Sequence, residues 1–418
     1  MTCWSAARRL AAGAALAVTV GVLAACGGSQ GGATYGADPK LADPQPEMFP
    51  SNQPAQEVGW PAGAAPKAPE GFTVARFADG LVSPRWMYFL PNGDMLVAQA
   101  SSNPTIPGAI ILLRDADRDG VAEQRFNFLP GVRQPTGMAV LVNSLYVATA
   151  DALLRFPYTD GQTQVSAAGV KLLDLPYRPV DNGHWTRNIL FKFDGTKIYI
   201  AVGSAGNIGE KGMETEARRA SILEINPDGS GERVFASGLR NPVGMAWEPV
   251  TGKLWATVNE RDGLGENLVP DYMTHVVEGG FYGWPYSYFG SHVDPRQKPQ
   301  NPELVAKAIK PDYALGAHTA SLGLTFYTSD LFPADYRNGA FIAQRGSWNR
   351  KQFAGYKVIF VPFKNGEPAG PPKDFLTGFL NDKGAAQGRP VGLTTDRGGA
   401  LYVADETGGV IWRVISSR

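Results

Sequence analysis

Cysteine is almost missing from this chain of 418 residues, which carries only Cys3 and Cys26, both near the N-terminus. No disulfide can brace a folded domain, so the fold must stand on packing. Histidine is equally scarce, at His184, His275, His292 and His318, and these are too scattered for a zinc-binding spacing. Charge of one sign is lacking too. Thirty-nine basic residues balance 39 acidic ones, which removes the electrostatic footprint of a nucleic-acid binder. There is no Gly-Lys phosphate loop, and the one Gly-x-Ser-x-Gly string, Gly27 to Gly31, lies in a Gly-rich stretch without the apolar strand that a nucleophile elbow needs before it. Gly203-Ser204-Ala205-Gly206-Asn207 follows an apolar run but has neither the spacing nor the helix of a dinucleotide site. Helical periodicity is nearly absent.

Glycine (50), proline (32) and aromatics (11%) are what the chain has instead, a mix suited to many short strands joined by turns. At the N-terminus, Arg8-Arg9 precede an apolar run, Leu10 to Ala25, too short for a comfortable membrane span. It ends Leu23-Ala24-Ala25-Cys26-Gly27, which resembles a bacterial lipoprotein signal. That resemblance implies that residues 1–25 are removed, that Cys26 is lipidated, and that the protein is exported to the periplasmic side of a membrane. An ordinary secretory signal with a stray cysteine is the alternative. Residues 26–66, rich in Gly and Pro with little apolar periodicity, read as a flexible tether. Residues 67–418 are expected to form the folded domain.

One pattern recurs six times in that domain: a polar or Pro-containing lead-in, a short apolar strand, a Gly turn and a second apolar strand. The copies start at Ser83, Gln134, His184, Asn241, His318 and Arg389, at spacings of roughly 50 to 80 residues. One four-stranded antiparallel blade per copy makes an all-β, six-bladed β-propeller; a pair of β-sandwiches would not need the same lead-in six times. In a propeller, residues at one repeat phase meet around the central axis. Those residues are Arg85, Gln134, His184 with Arg187, Arg240 with Asn241, His318 with Thr319, and Arg389. So many cations around one axis would repel, unless an anionic ligand sits there. His184 can act as a base near neutral pH; alone, the stretch Asp181 to Asn188 reads equally well as filler before a strand.

Gly183-His184-Trp185-Thr186-Arg187, Gly238-Leu239-Arg240-Asn241-Pro242, Asn259-Glu260-Arg261-Asp262, Gly280-Phe281-Tyr282-Gly283-Trp284-Pro285 and Gly346-Ser347-Trp348-Asn349-Arg350 occur in this order. Together they resemble the sorbosone dehydrogenase family, which is similar to the soluble quinoprotein glucose dehydrogenases. The likeness covers about residues 70 to 415. It implies a six-bladed propeller that oxidises a sugar or sugar aldehyde with pyrroloquinoline quinone (PQQ) and calcium, and passes electrons to an acceptor the sequence does not identify. His184 would be the base that takes the hydroxyl proton as hydride leaves. Arg240 and Asn241 would contact the quinone oxygens, with Gln134, Thr319 and Arg389 at the cofactor's polar rim and carboxylates. Arg345, or its neighbour Gln344, falls near a lysine of the glucose enzymes, and Arg187 is a cofactor or loop anchor. The backbone of Glu260, Arg261 and Asp262 would hold the cofactor's calcium, although the glucose enzymes have Gly-Pro there.

A second cation signal is Asp115-Ala116-Asp117-Arg118-Asp119-Gly120-Val121-Ala122-Glu123, whose carboxylates alternate before a Gly turn. Asp115, Asp117, Asp119 and Glu123 could hold a structural calcium, or the stretch is a polar hairpin turn. The aromatic run Phe281 to Tyr288 could line a sugar approach or fill the core. Two rival functions stand beside the dehydrogenase: a calcium-dependent lactonase, and a non-catalytic lipoprotein platform.

Overall fold

The computed structural model describes residues 34–47 and 51–417; the signal sequence and Cys26 lie outside them. Six antiparallel sheets follow one another along the chain. Blade 1 comprises Pro84–Phe89, Met95–Gln99, Gly108–Arg114 and Gln124–Val132. Blade 2 comprises Met138–Leu141, Ser144–Ala148, Ala152–Pro157 and Val170–Asp174, and blade 3 Ile189–Phe191, Ile198–Val202, Ser221–Ile225 and Arg233–Ser237. Blade 4 contains Pro242–Trp247, Leu254–Val258, Pro270–His275 and Tyr313–Ala317, and blade 5 Ser321–Phe326, Ala340–Gln344, Lys357–Val361 and Lys373–Leu376. Blade 6 joins the two ends of the domain: Pro390–Thr395, Leu401–Asp405 and Val410–Ser416 take Phe72–Ala78 as their fourth strand. That main-chain ladder closes the ring in a chain that has no disulfide to do so. The only α-helix among the described residues is Pro302–Lys307.

Each sequence repeat is the first strand pair of a blade, and the first strands of neighbouring blades pack side by side in an unbroken ring. The glycine of the repeat has a steric cause. A Cβ on Gly137 would lie 2.5 Å from Ile189 N, on Gly244 2.4 Å from Leu322 O, on Gly323 2.3 Å from Val391 O, and on Gly392 2.6 Å from Arg85 O. In four blades, therefore, a bare backbone lets one inner strand touch its neighbour's main chain. Behind this ring the second strands are buried on both faces, which explains why they read as continuous apolar runs such as Met95-Leu96-Val97-Ala98.

The stretch expected as a flexible tether is held to the propeller along its described part. Tyr35–Gly36 adds a fifth strand to blade 4. Gln45 N and Glu47 N donate to Leu264 O and Gly263 O, each at 3.0 Å. Farther on, Val58 N donates to Ala386 O at 2.9 Å, and Trp60 packs edge-on against Phe379 and Trp412. Composition concealed this because docking here uses main-chain pairing and one partly buried indole, neither of which needs an apolar period.

Candidate active site

The lead-in loops do bring their polar residues together. His184 is placed by two glycines. Gly183 (φ +67°) turns the chain against Ala205, whose carbonyl oxygen would be 2.2 Å from any Cβ. Gly203 leaves room for the side chains of both His184 and Asn241; a Cβ there would lie 2.5 Å from His184 Cβ and 2.3 Å from Asn241 Oδ1.

The His184 ring has a defined tautomer. Its Nδ1 lies 3.0 Å from Ser204 O and 3.0 Å from Ser204 Oγ. The hydroxyl hydrogen of Ser204 is donated to Gly206 O at 2.6 Å, and a carbonyl can only accept. Nδ1 must therefore carry the proton, which leaves Nε2 as the basic atom. Burial, then the nearby Arg240 charge, push the imidazole's pKa down to about 3, so the ring is neutral at ordinary pH. His318 is the opposite case. Its Nε2 lies 3.0 Å from Gly265 O and its Nδ1 3.3 Å from Asp262 Oδ1. Burial lowers its pKa, but the Asp262 contact outweighs that and raises it, so His318 is the poorer proton acceptor.

Around these rings runs an arc of ions. Arg240 is buried, and its guanidinium donates to Asn207 O (3.1 Å), Asn207 Oδ1 (2.8 Å) and Glu260 O (2.7 Å), with Asp262 Oδ2 at 3.5 Å. Asn349 donates to Asp262 Oδ1 at 2.7 Å. Farther round, Glu406 lies between Arg85 Nη1 (2.7 Å) and the Arg345 guanidinium. Burial raises its carboxyl pKa, yet the charges of those two arginines pull it down to about 2. The Arg85 guanidinium also covers the Trp185 ring at 5.1 Å, which links the arc to the His184 loop. Arg389 lies over the Tyr356 ring at 5.3 Å. Burial first, and then repulsion from Arg345, hold Arg389 below its ordinary pKa.

The site is built for a further ligand. Among the described residues, buried Arg85 Nε, Arg389 Nε, Gln134 Oε1, Asn241 Oδ1 and Asn349 Oδ1 have no hydrogen-bond partner. Stranded polar atoms of this kind are costly, and four of these five, all but Asn349 Oδ1, sit at the lead-in phase of the repeat. The unpartnered donors, Arg85 Nε and Arg389 Nε, suit carboxylates of a ligand, and the unpartnered acceptor Asn241 Oδ1 beside His184 suits a ligand N–H or O–H group.

Several sequence expectations change at this point. Of the two roles expected for Arg187, cofactor or loop anchor, the contacts match the second: it is fully buried, and its Nη atoms donate to His184 O, Thr186 O and Pro176 O at 2.8 to 2.9 Å, so it clamps the His184 loop. Thr319 Oγ1 is also fully buried and bonds to Asp271 Oδ2 (3.0 Å) and Ser321 Oγ (2.8 Å), an internal knot away from any rim. Gln344 points into its blade, donating to Leu315 O at 2.9 Å, which leaves Arg345 as the residue of that pair in the arc. Two of the three carbonyls proposed for calcium are already engaged: Glu260 O takes Arg240 Nη1, and Asp262 O takes Arg296 Nη1 at 2.6 Å and Asn207 Nδ2 at 3.0 Å. A dication would meet guanidinium charge at both. Arg261 is fully buried against Glu260, Pro285 O, Ser287 O and Asp294. Tyr282, Trp284 and Tyr288 are buried, so the aromatic run is largely core.

Sequence reasoning gave no role to Glu406, Asn207 or Ser204. Asn207 ties Arg240 to Asp262 and accepts Trp284 Nε1 at 2.9 Å through its carbonyl. Away from the axis, the carboxylates of Asp115, Asp117, Asp119 and Glu123 converge within 4.8 Å at the turn between the last two strands of blade 1.

The TrAA12-like family matches residues 66–277 and 289–417. An uncharacterised protein of Borreliella burgdorferi is 28% identical over 366 residues, 83% of this chain and 90% of that protein. The aldose sugar dehydrogenase of Escherichia coli is 29% identical over 195 residues, 46% of each chain. The holo PQQ domain of pyranose dehydrogenase from Coprinopsis cinerea superposes with a TM-score of 0.71 at 22% identity, covering 88% of this chain and all of that domain (100%). A propeller with a charged axial site, matched over nearly its whole length, identifies the chain as a member of the TrAA12-like family.

Proposed function

We propose that this protein oxidises a sugar or sugar aldehyde, of the aldose or sorbosone type, with PQQ as the electron acceptor. One observation carries the reading: a histidine kept neutral with a free Nε2 shares its site with an arc of arginines in which buried Arg85 Nε and Arg389 Nε lack partners. PQQ, when bound, supplies two-electron acceptance as hydride from the substrate C–H. Arg85, Arg345 and Arg389 would hold its carboxylates, while Asn241 and Gln134 would meet its polar oxygens and N–H groups. Arg240 places positive charge where negative charge develops, and Glu406 keeps the arc from repelling itself. His184 Nε2 takes the proton of the hydroxyl on the carbon that loses hydride, the sugar's own hydroxyl or, for a sugar aldehyde, that of its hydrate, and Ser204 O steadies the ring as it becomes charged. The family match and the named dehydrogenase relatives support the same chemistry.

Apo-protein titrated with PQQ and calcium should acquire cofactor absorbance and reduce an artificial dye when given aldoses or sorbosone. Lactone hydrolysis without quinone would favour a lactonase instead. Failure of the quinone to bind would favour a non-catalytic platform. We also assign a structural calcium to Asp115, Asp117, Asp119 and Glu123, and export with lipidation at Cys26 on the strength of its signal-like sequence. Among the described residues no helix is long and apolar enough to cross a membrane.

A further inference from the structure

We propose that the segment ahead of the propeller completes the cofactor site, with Glu57 as a resident anion that Arg389 holds until a ligand carboxylate replaces it. This rests on the reading of the arc as a PQQ-carboxylate site. Arg389 is only 4% exposed, yet its buried Nε makes no hydrogen bond to protein among the described residues. Its partners are the Tyr356 ring below and Glu57 Oε1, 3.3 Å from Nε and without hydrogen-bond geometry. A buried cation so loosely satisfied is prepared for a better anion.

Glu57 is suited to give way. Its backbone is fixed: it bridges to Ala386, Ala386 N donates to Gln56 O at 2.7 Å, and Gln53 N donates to Trp348 O at 2.6 Å. Trp60 anchors the strap on the Arg389 side, since its Nε1 donates to Asp405 Oδ2 at 2.6 Å while Asp405 Oδ1 accepts Arg389 N at 2.7 Å. The Glu57 side chain itself stays 54% exposed, so it can turn into water at little cost. Glu406, by contrast, is 12% exposed and bonded to two arginines, so it stays. A ligand carboxylate arriving at Arg389 must therefore compete with Glu57 alone.

The test is PQQ titration of the full-length protein and its Glu57→Gln variant with calcium present and substrate absent, followed by absorbance. Glutamine keeps the shape and removes the charge. The expected result is quinone binding about tenfold tighter in E57Q, with the difference shrinking at high salt. Equal or weaker binding by E57Q, with wild-type protein still binding quinone, overturns the proposal while sparing the cofactor reading. If neither protein binds quinone, both fall.

Discussion

The carbonyl oxygen of Ser204 lies 3.0 Å from Nδ1 of His184, and the Ser204 amide is itself donated to Arg240 O at 2.8 Å. One residue thus fixes the base and the neighbouring cation together. Because the Ser204 carbonyl is main chain, Ser204→Ala keeps the tautomer, and turnover should fall by no more than about tenfold. Loss approaching that of a His184 substitution would show that the hydroxyl, and not the carbonyl, orients the ring.

The neutral state of His184 sets the pH dependence. Its folded pKa of about 3 lies below the usual 6.5, so acidification through pH 6.5 protonates the unfolded chain but not the folded site. The log of kcat/KM for the reconstituted enzyme should therefore show no acid limb near 6.5 and stay level down to about pH 5. A limb at 6.5 would mean that the base is solvated, as an ordinary surface histidine is.

Glu406 neutralises two buried arginines. Glu406→Gln should destabilise the apo-protein by about 3 kcal/mol, because it leaves Arg85 and Arg345 facing each other unpaired. Its depressed pKa, about 2 against 4.5, means that this stabilisation is present above pH 4.5 and is lost as pH falls toward 2. Denaturant unfolding at pH 7 and pH 3 should thus show a smaller gap between wild type and variant at the lower pH.

The inner ring can be tested away from the chemistry. Gly323→Ala puts a Cβ 2.3 Å from Val391 O and should cost about 1–3 kcal/mol by overpacking. Gly398→Ala is the control, since its Cβ would meet only the Asp396 side chain, at 3.3 Å. Equal thermal stability of the two variants would contradict the steric account of the repeat glycine.

The blade 1 turn makes a separate prediction. Glu123 Oε2 accepts Ala116 N at 2.8 Å and Asp115 Oδ2 accepts Gly120 N at 2.9 Å, which preshapes the loop. Calcium should raise the melting temperature of the wild type and leave an Asp117→Asn/Asp119→Asn variant unchanged. The same calcium response in both would place the ion elsewhere.

The six-blade plan was legible because blade strands repeat, and each repeat carries its own Gly turn and paired apolar runs. His184, Arg240 and Arg389 were legible for the same reason, since their repeat phase brings them to the axis. Asp262 was expected to offer its carbonyl to a cation, but that carbonyl is taken by Arg296 and Asn207, a pairing no local pattern announces. Glu406 follows the last repeat by two residues and has no pattern of its own; only ring closure brings it between Arg85 and Arg345. Arg187 and Thr319 shared the phase but turned into the protein, where carbonyls and Asp271 met their donors. Sequence phase locates a backbone around the axis; the rotamer decides whether the side chain faces the ligand.

The most direct test of the account is dye reduction by protein reconstituted with PQQ and calcium, comparing wild type with His184→Asn at equal cofactor occupancy. The expected outcome is aldose-dependent turnover in the wild type, reduced about 10²–10⁴-fold in the variant while quinone absorbance is retained. Undiminished turnover in His184→Asn, or none in a wild type that has bound the quinone, would contradict it.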